Sequence, residues 1–178
     1  EAVTVLFADI VGFTGMVREV GPRRIFDALN QLYTAFDQVC AGCGLYKVET
    51  IGDCYVAVGG VPSPGPGDAD AVATMAIEMI AAARRFGSIG GRRLEIRVGI
   101  DSGAVVGGVV GTQNPRFCLF GDPMNVASRL ERTGVPMLAH VSERSAALLD
   151  GSRFALRPRG AIALKGFGPM QTYFLAER

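Results

Sequence analysis

Apolar residues fill positions 3–10 (Val-Thr-Val-Leu-Phe-Ala-Asp-Ile) almost without a break. That run predicts a buried strand with one carboxylate, Asp9, near its end. A short loop follows at 11–14. From about 22 to 39, Ile25, Leu29, Leu32, Phe36 and Val39 recur at spacings of three and four, the stripe of an amphipathic helix. Gly42 and Gly44 stop it. Residues 45–50 and 54–58 read as two strands joined by a tight turn at Gly52 and Asp53. The Pro- and Gly-rich stretch 62–67 is a loop, after which Asp68 or Asp70 caps a helix running to about Phe86. A break at 87–91 precedes a strand at 94–100. Small apolar residues fill 104–110, a short strand spans 117–120, and Asp122 and Pro123 start a helix at 124–130. Short strand and helix signals then lead to a last strand at 171–175. The alternation predicts an α/β sandwich, with helices packed on a sheet and neither repeat nor internal linker.

The bulk numbers narrow the function. The 178 residues suffice for one domain with a real core, and 49% apolar composition excludes a disordered tail. A net charge of +1 gives no case for nucleic-acid or membrane-surface binding. No apolar run approaches the roughly 20 residues that span a bilayer. The opening residues enter a strand at once, as expected for a piece excised from a longer, regulated protein. The four cysteines fit a reducing, cytoplasmic compartment. Cys40 and Cys43 form a C-x-x-C pair near a helix end, beside Gly42 and Gly44. They are expected to be ordinary thiols, because a redox pair wants its first Cys at a helix N-terminus. His140, the lone histidine, reads as structural.

Asp9 and Asp53 carry the first chemistry. Each has a bland reading, Asp9 as a helix cap and Asp53 as a turn residue. The sharper reading has both holding two divalent cations for an in-line phosphoryl displacement. Gly12 lets backbone approach a ligand, and exposed amides at a helix start suit a phosphate. The Walker pattern is absent.

Five blocks together resemble the class III adenylyl and guanylyl cyclase catalytic domain. They are F-A-D-I-V-G-F-T at 7–14, K-V-E-T-I-G-D at 47–53, V-G-I-D-S-G-A-V-V-G-G-V-V-G at 98–111, R-F-C-L-F-G-D-P-M-N-V-A-S-R-L-E at 116–131 and L-K-G-F-G at 164–168. The resemblance implies a single catalytic domain over 1–178 with a ferredoxin-like βαββαβ core sheet. It implies that Asp9 and Asp53, helped by the Ile10 carbonyl, bind two Mg2+ or Mn2+. The amides of residues 11–14, including Gly12, Phe13 and Thr14, would hold the triphosphate. Asn125 would orient the ribose, Arg129 would stabilise charge on the α-phosphate, and Lys165 would bind the terminal phosphates. Asn125 and Arg129 are four apart, so they share a helix face, and a planar guanidinium suits a phosphoryl transition state. The bland alternatives are a surface salt bridge for Arg129 and a solvated turn lysine for Lys165. Two positions depart from the family pattern: Asp101 stands where His is usual, and Phe167 where a second basic residue is usual.

At the two positions where the resemblance implies base reading, the residues point to guanine. Glu49 would be a bidentate acceptor for guanine N1–H and N2–H₂, and Cys118 a weak donor opposite O6. The adenine-selective family pattern puts Lys and Asp there. The bland reading of Glu49 is a same-face pair with Lys47, and Arg116 is a candidate to steer the base or Glu49. The resemblance further implies sites shared between two catalytic domains. This chain holds the complete residue set, so a homodimer with two equal sites is the simplest assembly. The expected activity is conversion of GTP to cyclic GMP and pyrophosphate. An adenylyl cyclase and a non-catalytic regulatory partner domain are the alternatives.

Overall fold

The computed structural model describes residues 2–177, so Glu1, at the expected strand entry, and Arg178 lie outside it. Strand β1 (Ala2–Ile10) is the apolar run read from the sequence. Two helices follow, α1 (Phe13–Val20) and α2 (Pro22–Gly42), then the hairpin β2 (Tyr46–Ile51) and β3 (Cys54–Gly59). Helix α3 (Asp68–Phe86) and a small ribbon, β4 (Ser88–Ile89) and β5 (Arg92–Arg93), lead to β6 (Ile96–Ala104). Next come the ribbon β7 (Val106–Val110) and β8 (Arg116–Phe120), α4 (Asp122–Arg132), β9 (Ala139–Ser142), α5 (Glu143–Ala146) and the long hairpin β10 (Phe154–Leu164) and β11 (Gly168–Glu177).

Seven strands form one sheet in the order β10-β11-β9-β6-β1-β3-β2. Its β6-β1-β3-β2 part is antiparallel throughout and is the expected βαββαβ core. Alternation along β1 divides two cores. Leu6, Ala8 and Ile10 face α2 and α3, packing with Leu32, Phe36, Met75 and Met79. Val3, Val5 and Phe7 face the other way, with Val56, Val58, Leu119 and Ala127 under α4 and the β7–β8 ribbon. Asp9 continues this second set by its alternation.

Several expectations change. The loop read at 11–14 ends at Gly12, and Phe13 and Thr14 open a helix that runs to Val20: Phe13, Met16, Val17 and Val20 have helical spacing and pack on the first core. Neither Asp68 nor Asp70 caps α3, which starts after Gly67 with no side-chain cap. Asp68 instead accepts from the Gly65 amide at 2.6 Å, and Asp70 from the Asp150 amide at 2.9 Å. The region 154–164 is a full strand, and Gly168–Glu177 extends the expected last one.

Helix α4 is seated by a close backbone approach. A Cβ built on Gly99 of β6 would lie 2.2 Å from the Ala127 carbonyl oxygen and 2.3 Å from the Glu131 nitrogen, so only glycine fits beneath the helix.

Asp101, at the position where the resemblance leads one to expect His, is fully buried on β6. It accepts from Ser142 Oγ at 2.5 Å and from Arg144 Nε at 3.2 Å, and pairs with Arg144 Nη2. Burial pushes its pKa up, against the pull of Ser142 and Arg144. Thr4, Ser102 and Ser145 continue the chain of hydrogen bonds, tying α5 and β9 to the sheet. Arg144→Met should destabilise the fold by about 2 kcal/mol, because a buried carboxylate loses two of its donors. Urea unfolding at neutral pH checks this; parent stability would mean that Ser142 alone satisfies Asp101.

Candidate active site

Asp9 sits at the end of β1 with Cys54 of β3 beside it on one side and Arg97 of β6 on the other. No side chain caps α1, so Asp9 is not the helix cap of its bland reading. Asp53 occupies the β2–β3 turn, next to Cys54, and Tyr33 of α2 supports that turn by donating to the Gly52 carbonyl at 3.3 Å. Burial, and then the Asp9 carboxylate, push the Asp53 pKa up to about 6. The same two causes take the Cys54 thiol up to about 12. The two carboxylates are therefore close enough to repel in a half-buried place, and a cation would relieve that repulsion.

Two further residues belong to this cluster, and the sequence reading passed over both. Arg97 Nη2 lies 3.6 Å from Asp9 Oδ2, and its Nε lies 3.0 Å from Glu131 Oε1. The second contact is ionic, not a directed hydrogen bond, since both atoms are buried without a hydrogen-bond partner. Glu131, near the end of α4, is almost wholly buried. Burial and the nearby Asp9 raise its pKa to about 7. Two carboxylates, Asp9 and Glu131, thus flank one guanidinium. Among the described residues no cluster of three or more His, Cys, Asp or Glu has metal-binding geometry. Asp9 and Asp53 still fit hard cations, provided a backbone carbonyl and substrate phosphate oxygens complete the shell.

The phosphate turn follows directly. Gly12 ends the turn before α1 at φ 68°, and no side chain hydrogen-bonds as a cap to the helix N-terminus. The Val11 amide is not free, because it donates to the Glu95 carbonyl at 2.9 Å. The unbonded donors expected at a helix start are those of Gly12, Phe13, Thr14 and Gly15. This corrects the expectation for residue 11 and moves the candidate anion site one residue on. Arg92 of β5 adds a cation there: Cβ atoms on Gly12 and Gly15 would come within 3.2 and 3.3 Å of its guanidinium, which Glu19 holds at 3.1 Å.

Glu49 meets the side chain of Arg116 on β8, the strand that also carries Cys118. Glu49 Oε2 lies 3.8 Å from Arg116 Nη1, and Cys118 Sγ lies 3.7 Å from the Arg116 carbonyl oxygen. The pair of Glu49 with Lys47 is not formed. A register shift between Lys47 and Glu49 re-aims the strand. Lys47 turns toward α2 and meets Asp37 at 2.7 Å, whereas Glu49 faces β8. Tyr46 and Phe117, with centroids 5.6 Å apart, pack edge to face beside them.

Asn125 is exposed on α4, and Arg129 lies one turn on. Lys165 is exposed in the β10–β11 turn, and Gly166 beside it reaches within 3.6 Å of Arg129 Nη1 by its built Cβ. His140 is buried on β9 and hydrogen-bonded to the Leu130 carbonyl at 2.8 Å. Burial lowers its pKa to about 4, so it stays neutral and structural. All four cysteines are free thiols, and burial raises Cys40 and Cys43, the reverse of what a redox pair needs.

Residues 1–177 match the family described as the adenylate and guanylate cyclase catalytic domain. The chain belongs to this family. The cyclase domain is 44% identical over 178 residues to the rat guanylate cyclase soluble subunit beta-2, covering 99% of this chain and 26% of that protein's length. Among solved structures it superposes on the guanylate cyclase domain of RhGC from Catenaria anguillulae in complex with GTP at a TM-score of 0.95. Identity there is 38%, over 100% of this chain and 97% of the other. The catalytic core of a rhodopsin-guanylyl cyclase with converted specificity, in complex with ATPαS, gives 0.94 at 36% identity over 100% and 96%. No helix among the described residues is long and apolar enough to cross a membrane.

Proposed function

We propose that this chain is the catalytic domain of a longer guanylyl cyclase and converts GTP to cyclic GMP and pyrophosphate. The observation that carries this reading is the placement of Glu49. The register shift in β2 turns it from Lys47 to Arg116 of β8, the strand that also carries Cys118. A half-exposed carboxylate acceptor there is matched by guanine N1–H and N2–H₂ and is left facing a lone pair by adenine. The GTP-bound relative supports the same base.

Asp9 and Asp53, with the Ile10 carbonyl, would hold two Mg2+ or Mn2+, which supply Lewis-acid neutralisation of phosphate charge when bound. The first-turn amides of α1 and Lys165 grip the β- and γ-phosphates. Asn125 fixes the ribose so that its 3′-oxygen lies in line with the α-phosphorus. That oxygen bonds to phosphorus, the bond to pyrophosphate breaks, and one proton is released. Arg129 stabilises the charge that gathers on the α-phosphate.

Two copies would share these duties. Val106, Val109, Val110 and Phe120 are well exposed on the β7–β8 ribbon, an apolar face suited to a second copy. The test is purified chain with Mn2+ and either GTP or ATP, following pyrophosphate and cyclic product over a dilution series. GTP turnover whose specific activity rises with protein concentration is expected. A preference for ATP would overturn the base assignment, no turnover at any concentration would favour a regulatory partner domain, and full activity in a monomer by light scattering would overturn the shared site.

A further inference from the structure

Arg129 is held in an unusual way. The centroid of the Phe167 ring lies 5.1 Å from its guanidinium carbon. Among the described residues Arg129 makes no ion pair, and its Nη1 is buried with no hydrogen-bond partner. The ring is itself fixed. Its amide donates to the Leu164 carbonyl at 2.9 Å, and it packs with Ile162 and Met170 against Val126, Leu130 and Leu164. Val126 and Leu130 flank Arg129 on α4, so one small apolar cluster sets both the ring and the base of the arginine.

We propose that Phe167 is a positioning residue, whose neutral ring face holds the Arg129 guanidinium ready for the α-phosphate. The inference rests on the role given to Arg129 under the proposed function. The physical reason lies in what the alternatives would do. A carboxylate in place of the ring would neutralise the arginine before substrate arrived. A lysine there, the kind of residue the family resemblance leads one to expect, would repel it. An aromatic face attracts a cation and leaves its N–H donors unspent. The single buried, unpartnered Nη1 is the donor such an arrangement would keep for a ligand oxygen.

The test replaces Phe167 in the whole chain with phenylalanines carrying one, three and five ring fluorines, which weaken the negative face at nearly constant shape. kcat and KM for GTP with Mn2+ are read beside the melting temperature. kcat should fall stepwise, by about three- to thirtyfold at full fluorination, with KM inside about twofold and melting unchanged. A flat kcat, or a loss carried in KM alone, overturns the proposal. If the fluorinated protein cannot be made, Phe167→Tyr should keep the parent kcat and Phe167→Leu should lose it; equal rates overturn the proposal. Arg129→Ala separates the two readings. Parent-level turnover in that variant removes the assigned role of Arg129, whereas lost turnover beside a flat fluorine series removes only the role of Phe167.

Discussion

Asp9→Ala and Asp53→Ala should each cut GTP turnover by about a hundredfold or more, since cation-assisted charge stabilisation is worth several kcal/mol. Neither variant should unfold. The two carboxylates repel in the protein without cations, and burial already taxes Asp53, so removing one relieves the fold. The pH dependence follows from the sign of the Asp53 shift. Its folded pKa, about 6, lies above its ordinary value of 3.8. The fold therefore favours the protonated carboxyl. That contribution is fully present below the ordinary value and is lost as pH rises through about 6. A cation supplies the missing positive charge only once the proton has left. Mn2+ should raise the melting temperature more at about pH 7.5 than at about pH 5, and Asp53→Asn should abolish that difference. Unchanged turnover in either alanine variant would remove the cation assignment. A pH-independent melting shift in the parent would remove the linkage to Asp53.

Glu49→Lys with Cys118→Asp should move the ratio of kcat/KM for GTP over ATP toward ATP by about 10²–10⁴, taking a good bidentate base contact as worth roughly 1–3 kcal/mol. Lysine donates to adenine N1, and a carboxylate at 118 accepts from N6–H₂. The same groups meet guanine donor to donor and acceptor to acceptor, so GTP is rejected as well as ATP accepted. Arg116 makes the two positions interdependent. It lies 3.8 Å from the Glu49 carboxylate, and its carbonyl accepts from Cys118. Glu49→Lys alone sets a cation against Arg116 and should chiefly lose GTP activity. The second change restores a negative neighbour, so the two effects should not add. An active double variant that keeps the parent preference would show that these side chains do not read the base.

The sequence alone exposed the elements whose periodicity is strong and whose ends are marked. The unbroken apolar run of β1, the stripe of α2, and the β2–β3 turn at Gly52 and Asp53 were all legible. Helix α1 went unassigned because three glycines, Gly12, Gly15 and Gly21, punctuate it and its flanks, although Phe13, Met16, Val17 and Val20 keep helical spacing. Strand β10 was obscured by Pro158 and Gly160. It is an edge strand with a register shift at those residues, the setting in which a strand tolerates proline. At the site, Asp9 and Asp53 stood out because carboxylates interrupt apolar or turn sequence. Arg97 and Glu131 did not, because a charge in an alternating strand or a helix end normally faces water. Only the packing of α4 on β6 shows that Glu131 points inward. The re-aiming of Glu49 was equally hidden, since a register shift leaves no mark in a six-residue strand.

The contact at Gly99 has a mechanical consequence. With the Ala127 and Glu131 backbone resting on bare β6, α4 has no travel. A slip by one residue, about 1.5 Å along a helix axis, would press the Ala127 carbonyl or the Glu131 backbone into the strand. Asn125 and Arg129 therefore move with β6 and β1 as a single rigid piece. A signal reaching such a site gains nothing by bending the helix. In the shared-site pair proposed above, its leverage would lie in rotating one rigid piece against a second copy, and the quantity separating an idle pair from a working one would be an angle between chains.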